Sequence, residues 1–177
     1  MMKKITSWAK MLIFVLVGAL SLTSCDKDDM KAANLDGTWE GDFFMEYQSP
    51  SGILYHAKNT MIRFDQKPFK NYGVGYQIDY YPKGCPVLIA FHEFDWSVED
   101  GIVTMVYPTE PELNIRIYDY RMSSTSFHGV IEKGTSKTAF SLDKVEDPDW
   151  GEYSDRVGTY YYAKPRPAAE ADSVSVE

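Results

Sequence analysis

Apolar and polar residues alternate along most of the chain from Leu35 onward, and no long segment shows helical periodicity. In Phe94-Asp95-Trp96-Ser97-Val98 every second residue is apolar, and the segments 39–43 and 113–117 alternate in the same way. Successive side chains of a strand point to opposite faces, so a period of two predicts strands with one buried face.

Short turn sequences separate the alternating segments. Glu99-Asp100-Gly101 is the strongest hairpin signal, because Asp-Gly accepts the positive φ of the primed turns. Lys133-Gly134-Thr135-Ser136 predicts another hairpin, and a strand is expected from Tyr55 to Phe64. Inside a third predicted strand, Gly73-Val74-Gly75 indicates a bulge or a close approach of the backbone.

Eight to ten short strands joined mainly by short turns are the pattern of an antiparallel meander. We therefore expect an all-β domain closed into a barrel, with a β-sandwich as the alternative. A last aromatic strand is expected from Val157 to Tyr162, after an acidic loop at 146–155.

The first residues carry the features of a secretory signal peptide. Lys3 and Lys4 precede the apolar segment Met11 to Leu22, and small residues follow it. A membrane-spanning helix needs about 20 apolar residues, so this segment is too short to be one. We assign residues 1–24 to the signal peptide.

Leu22-Thr23-Ser24-Cys25 resembles the lipobox of bacterial lipoproteins. The resemblance implies cleavage before Cys25 and fatty acylation of that residue, such as palmitate. Two or three acyl chains hold a protein on a membrane permanently, whereas one gives only marginal binding. The alternative is an ordinary signal peptide with a chance cysteine.

Asp26, Asp28 and Asp29 follow this cysteine. The acidic cluster resembles the export signal of Bacteroidota surface lipoproteins, which implies a lipid-anchored protein exposed on the outside of the outer membrane. By composition alone, residues 25–34 predict a polar tether that stays unfolded. The two interpretations are compatible.

Leu35-Asp36-Gly37-Thr38-Trp39-Glu40-Gly41 resembles the opening Gly-x-Trp strand of lipocalin-like barrels. Together with the segments 94–101 and 119–127, it resembles the small lipocalin-like lipoproteins of Bacteroidota. The resemblance implies that Trp39 closes one end of a barrel. The domain is expected over residues 35–163 and a disordered tail over 164–177.

Charge and cysteine content narrow the possible partners. The formal charge of −8 becomes −11 once Lys3, Lys4 and Lys10 are removed with the signal peptide, which carries no acidic residue. Such an acidic protein is not expected to bind nucleic acid. Cys85 is the only cysteine besides Cys25, so no intramolecular disulfide is expected, and its role stays open.

No arrangement of residues points to an enzyme, a cofactor or a metal. The histidines His56, His92 and His128 lack ligand spacing, and Glu93 and Asp95 share a predicted solvent face. A phosphate loop and a nucleophile elbow are absent from the sequence. We predict no catalytic residues and no metal, although the loop 146–155 leaves calcium open.

Aromatic side chains are the candidates for ligand contact. Tyr76, Trp96 and Trp150 are such candidates, because these rings stack on sugars or hold apolar ligands. The preferred alternative is that the aromatic side chains belong mostly to the core and the strand surface. The expected function is non-catalytic binding of a small apolar or amphipathic molecule; the alternative is a protein- or glycan-interacting module. The interior of an eight-stranded barrel holds either packed side chains or one small ligand. An open interior would therefore favour the ligand-binding function, and a filled interior would favour the interaction module.

Overall fold

The fold is taken from a computed structural model that describes residues 27–151 and 160–162. One helix, α1, spans 27–35, and a 3₁₀ turn lies at Pro111–Leu113. The strands of the described residues are β1 (Gly37–Asp42), β2 (Glu46–Gln48), β3 (Leu54–His56), β4 (Asn59–Gln66), β5 (Tyr72–Tyr80), β6 (Val87–Glu99), β7 (Ile102–Val106), β8 (Ile115–Met122), β9 (Ser126–Lys133), β10 (Ser136–Val145) and β11 (Tyr160–Tyr162).

Eight of these strands close into an antiparallel barrel. From β4 to β10 each strand pairs with the next, β10 pairs with β1, and β1 pairs with β4. The separate β2–β3 hairpin is inserted between β1 and β4, and β11 pairs with the first part of β6. The predicted all-β antiparallel barrel is thus confirmed, and the sandwich alternative is wrong.

The predicted turns explain how consecutive strands join. Asp100 and Gly101 both have positive φ, at 51° and 77°, between β6 and β7. Gly134, with φ 59°, lies in the turn between β9 and β10. The strand expected from Tyr55 to Phe64 is in fact divided, because β3 pairs with β2 whereas β4 pairs with β1 and β5.

Gly73 and Gly75 allow two large rings to lie against β5. A Cβ at Gly75 would lie 2.2 Å from Cζ of Phe94, and one at Gly73 would lie 2.9 Å from Nε1 of Trp96. That Nε1 donates to the Val74 carbonyl at 2.9 Å. The close approach predicted from the sequence is confirmed, and β5 pairs with β6 without a register shift.

Aromatic rings fill the barrel interior in edge-to-face contact, the geometry that aromatic pairs prefer. Phe127 contacts Trp39 and Phe140 with ring centroids 5.6 and 4.8 Å apart, and Phe64 contacts Phe94 and Trp96 at 5.4 and 5.6 Å. The largest completely buried side chains are Trp39, Tyr107, Phe43, Phe64, Phe94, Phe127, Leu35, Ile62, Ile78, Met105, Ile117 and Leu142. Most of the interior is therefore a packed core.

Helix α1 lies across one end of the barrel. The carboxylate of Asp28 accepts hydrogen bonds from the backbone N–H groups of Asp100 and Gly101, at 2.8 and 3.0 Å. At the other end of α1, the carbonyl of Leu35 accepts a hydrogen bond from the Trp39 indole at 2.8 Å. We call this the closed end, and the opposite end, where β1 ends and β10 begins, the mouth end.

The unfolded tether expected over residues 25–34 is not what the structure has in the part that it describes, since residues 27–34 belong to α1. Ala32 and Leu35 are completely buried on one side of the helix. Two hydrogen bonds compensate the burial of Asp28, so an acidic segment can pack against the barrel.

Candidate functional site

The three aromatic residues selected as ligand contacts do not form one site. Trp96 is 2% exposed inside the barrel, whereas Tyr76 and Trp150 stack on the outer face with ring centroids 6.2 Å apart. Tyr76 pairs directly with Glu93, which is exposed, so strand alternation places its ring outside. Trp96 therefore belongs to the core, whereas a role of Tyr76 and Trp150 in ligand contact stays a prediction.

Tyr76 and Trp150 belong to a polar contact between the acidic loop and the barrel wall. The indole N–H of Trp150 donates to Oγ1 of Thr38 at 3.1 Å, and that hydroxyl donates to the Asp147 carboxylate. Asp147 also pairs with Arg63. Although burial raises the pKa of Asp147, the bonds from Thr38 and Arg63 outweigh it and lower the pKa. These contacts hold the described part of the loop on β1 and β4.

Trp39 lies inside the barrel at the closed end. It is completely buried, and the ammonium group of Lys144 lies 5.0 Å from its ring centroid. The same ammonium donates to the carbonyl of Asp36 at 2.6 Å. A cation over an indole face is the most favourable form of the cation–π contact. Lys144 is therefore the basic partner of this tryptophan in the described structure.

The residues of the predicted anchor fall at or before the start of the described chain. Cys25 and Asp26 lie outside the described residues. Asp28 is 8% exposed and holds the β6–β7 hairpin, whereas Asp29 is half-buried in α1. The fold therefore gives Asp28 a structural role, and export remains a prediction.

A buried acid–base cluster lies inside the barrel towards the mouth end. The imidazole of His92 is 3% exposed; its Nδ1 lies 2.6 Å from Oε2 of Glu110 and its Nε2 lies 3.3 Å from Oδ2 of Asp79. Burial lowers the pKa of His92, but the hydrogen bonds and charges of the two carboxylates outweigh this and raise it to about 9. His92 is thus a cation held between two anions.

Neutral polar groups complete the cluster. Thr60 and Gln77 donate to the Asp79 carboxylate at 2.7 and 2.9 Å, and the hydroxyl of Tyr107 donates to Oε1 of Gln77 at 2.5 Å. Burial, and then the charges of Asp79 and Glu110, raise the pKa of Tyr107 well above its ordinary value. Because its members satisfy one another, the cluster is suited to stabilising the interior.

This cluster was not predicted from the sequence, although strand alternation contained a signal for it. His92 lies two residues before Phe94 on β6 and therefore shares the inward face of Phe94 and Trp96. Gln77 is the cross-strand partner of His92, so it shares that face as well. The identity of Glu110 as a partner depends on tertiary structure and has no local signal.

A small cavity opens at the mouth end. Its volume is about 180 Å³, and it lies between the segment 43–46 and the ends of β8, β9 and β10. Its walls are both apolar and polar, and they comprise Phe43, Phe44, Met45, Glu46, His56, Ile115, Ile131, Lys133, Ser136 and Thr138. Two shallower grooves of about 320 and 230 Å³ lie on the outer face and share Thr104 and Val106.

Two residues of the mouth cavity stand out chemically. Phe44 has φ 53°, a conformation that bulky residues rarely adopt, and its side chain is 42% exposed. Lys133 points inward opposite Ser136 and makes no ion pair with the described residues. Neither residue belongs to a motif, so neither was predicted from the sequence. The cavity can hold an apolar group and present a cation beside it.

The described residues contain no group of three or more histidine, cysteine, aspartate or glutamate side chains placed to hold a metal ion. In the loop considered for calcium, Asp147 is paired with Arg63, and Asp149 accepts a hydrogen bond from the N–H of Gly151.

The described part of the chain includes no helix with the length and apolar character needed to cross a membrane. No family model, curated protein or solved structure matches the chain.

Proposed function

We propose that the protein is a lipid-anchored, non-catalytic binding module of the bacterial envelope, and that it binds the apolar part of a small amphipathic anion at the mouth end. The observation that carries the proposal is the mouth cavity, where apolar walls adjoin the ammonium group of Lys133, which makes no ion pair with the described residues. Glu46, the acidic residue of the same wall, lies 3.3 Å from Nδ1 of His56. Ligand sites are typically mostly apolar with a few convergent polar groups.

The packed interior sets the size of this ligand. The aromatic side chains at the centre of the barrel leave the mouth as the entry point, and the cavity of about 180 Å³ is smaller than the roughly 300–1,000 Å³ typical of ligand pockets. We infer that a short apolar chain enters the cavity and that its charged head stays at the rim, beside Lys133 and the hydroxyl groups of Ser136 and Thr138.

The non-catalytic part of the proposal is supported by the state of the His92 cluster. His92 and Asp79 are 3% and 0% exposed, and the polar atoms that they present are bonded within the cluster. A general acid or base must reach the proton that it transfers. The buried position of these groups favours a role in stability.

A fluorescence titration with anilinonaphthalene sulfonate, followed by competition with alkyl carboxylates of increasing length, tests the proposal. Lys133→Gln is expected to weaken binding about tenfold, the size of one charge-assisted hydrogen bond. Lys137→Gln is the matched control, since this lysine lies on the same hairpin but pairs with Glu132 outside. Non-saturable binding, or equal loss in both variants, would contradict the proposal.

The second candidate is a glycan- or protein-interacting module, favoured by the filled interior and by two exposed residues near the mouth. Ile53 and Leu54 are 53% and 48% exposed at the start of β3. If this candidate holds, no alkyl carboxylate binds saturably, and glycan-array binding is lost in Leu54→Ser but kept in Lys133→Gln.

A further inference from the structure

The tight connection between β4 and β5 exposes a large aromatic side chain. Phe69 is 97% exposed, and its φ is 59°. Two backbone hydrogen bonds shape the loop, from Lys67 N–H to the Tyr72 carbonyl and from Lys70 N–H to the Lys67 carbonyl. Phe69 therefore projects from a structured turn.

Neither packing nor backbone geometry explains a phenylalanine at this position. A left-handed φ favours glycine or asparagine, and a bulky residue there is strained. A side chain that is 97% exposed gains almost nothing from burial in the described fold. Phe69 thus carries a cost that the described fold does not offset.

Hydrogen bonds place this loop beside the start of α1. Asn71 and Val98 exchange hydrogen bonds of 2.7 and 2.8 Å, while Asp28 binds the N–H groups of Asp100 and Gly101. Asp100 follows Val98 by two positions, which is roughly 7 Å along a strand. The base of the loop and the first turn of α1 therefore lie together at the closed end.

The lipid anchor proposed above would attach at the same end. Cys25 precedes Asp28 by three residues, a reach of at most about 11 Å. Met30 on α1 is 62% exposed at this end. Lysines flank Phe69 in the sequence Lys67-Pro68-Phe69-Lys70, although the protein as a whole is acidic.

We propose that the 67–71 loop is a second membrane contact, in which Phe69 enters the interface of the bilayer that holds the acyl chains of Cys25. The ammonium groups of Lys67 and Lys70 lie at the lipid phosphates. Their aliphatic stems lie beside the Phe69 ring in the interface. Apolar side chains enter roughly 5–10 Å at this boundary. This inference rests on the proposed anchor and implies that the mouth end faces away from the membrane.

Quenching by lipids with brominated acyl chains tests the contact in the full lipidated protein, reconstituted in phosphatidylethanolamine–phosphatidylglycerol vesicles. Phe69→Trp provides the reporter, and Thr135→Trp, on the hairpin at the mouth end, is the matched control. We expect the added emission at residue 69 to be quenched several-fold more strongly than that at residue 135. Equal quenching in an acylated protein would overturn the loop contact alone.

Two further measurements separate the possible failures. An intact mass without acyl chains on Cys25 would overturn the proposed anchor. The inferred loop contact, which rests on that anchor, would then be overturned with it. Phe69→Gly removes the ring and relieves the left-handed conformation, so its urea midpoint is expected to equal or exceed that of the wild type. A lower midpoint would show that Phe69 serves the fold and would overturn the inference.

Discussion

At the residue scale, the strongest electrostatic feature of the interior is the cation of His92 between Asp79 and Glu110. Burying an isolated charge in a packed core costs free energy because the charge loses its hydration. When a cation is bonded to two carboxylates, their attraction offsets part of this cost for all three groups. The hydroxyl of Thr60 and the side-chain amide of Gln77 also donate to the Asp79 carboxylate. The proton of His92 therefore contributes to the stability of the cluster.

This proton gives the fold a predictable pH dependence. The folded-state pKa of His92, about 9, lies above the ordinary value of 6.5. Its contribution to the free energy of unfolding is therefore complete below about pH 6.5 and is lost as the pH rises through about 9. We expect this loss, on the order of 3 kcal/mol, in urea unfolding of the wild type between these pH values.

His92→Gln provides the comparison, because it removes the titration but keeps hydrogen-bonding capacity. It leaves two buried carboxylates without their cation, so the variant is expected to be less stable by about 3–5 kcal/mol at neutral pH. Its stability should then change little over the same alkaline range. An imidazole midpoint near 6.5 in an NMR titration of the wild type would contradict the argument.

At the scale of elements, alternation correctly predicted the segment 94–98 of β6, where one face of the strand packs in the core. Phe94, Trp96 and Val98 are all buried, and Glu93 and Asp95 are exposed. The Asp-Gly turn was equally predictable, since its positive φ is a local property of the two residues. Both features are determined by neighbouring residues in the sequence.

Strand β8 shows where alternation fails. Ile115 and Ile117 are buried as predicted, but the pairing with β9 shifts between Tyr118 and Arg121 and Asp119 adopts φ 49°. The inserted residue changes the parity of the strand, so Tyr120 packs against the core. Aspartate tolerates the left-handed conformation, but nothing in the sequence indicates that the strand needs it.

Helix α1 could not be predicted for a related reason, since tertiary contacts stabilise it. Asp28→Ala removes the acceptor for the N–H groups of Asp100 and Gly101, so the free energy of unfolding is expected to fall by about 2 kcal/mol. Asp29→Ala is the control and should change it by about 0.5 kcal/mol or less. Thermal denaturation checks both, and equal losses would mean that the bonds to Asp28 contribute nothing specific.

The difference between Asp28, which bonds the β6–β7 hairpin, and Asp29 also affects how the export prediction is tested. Replacing Asp26, Asp28 and Asp29 together would combine loss of a signal with loss of stability. Replacing only Asp26 and Asp29 leaves the contact to the β6–β7 hairpin intact. Export to the cell surface can then be measured on a folded protein.

At the scale of the whole molecule, the two ends of the barrel differ in character. The closed end combines α1, a buried tryptophan and an exposed loop with two lysines, whereas the mouth end has the cavity and the β2–β3 hairpin. The aromatic core between them is closely packed, so the ends keep a fixed relation. The mouth cavity could not be predicted from the sequence, because it is assembled from five separate segments of the chain.

This polarity makes the proposed location testable on living cells. If Cys25 is acylated and the protein is displayed outside, Thr135→Cys at the mouth end should react with a membrane-impermeant maleimide on intact cells. Cys85 is 1% exposed and should not react. Cys25→Ala should abolish both partition into detergent and labelling of intact cells, because an unanchored chain does not stay on the surface. Labelling of Thr135→Cys only after the outer membrane is permeabilised would place the barrel in the periplasm. If Cys25 is acylated in that case, the proposed anchor is kept and the predicted export to the cell surface is wrong.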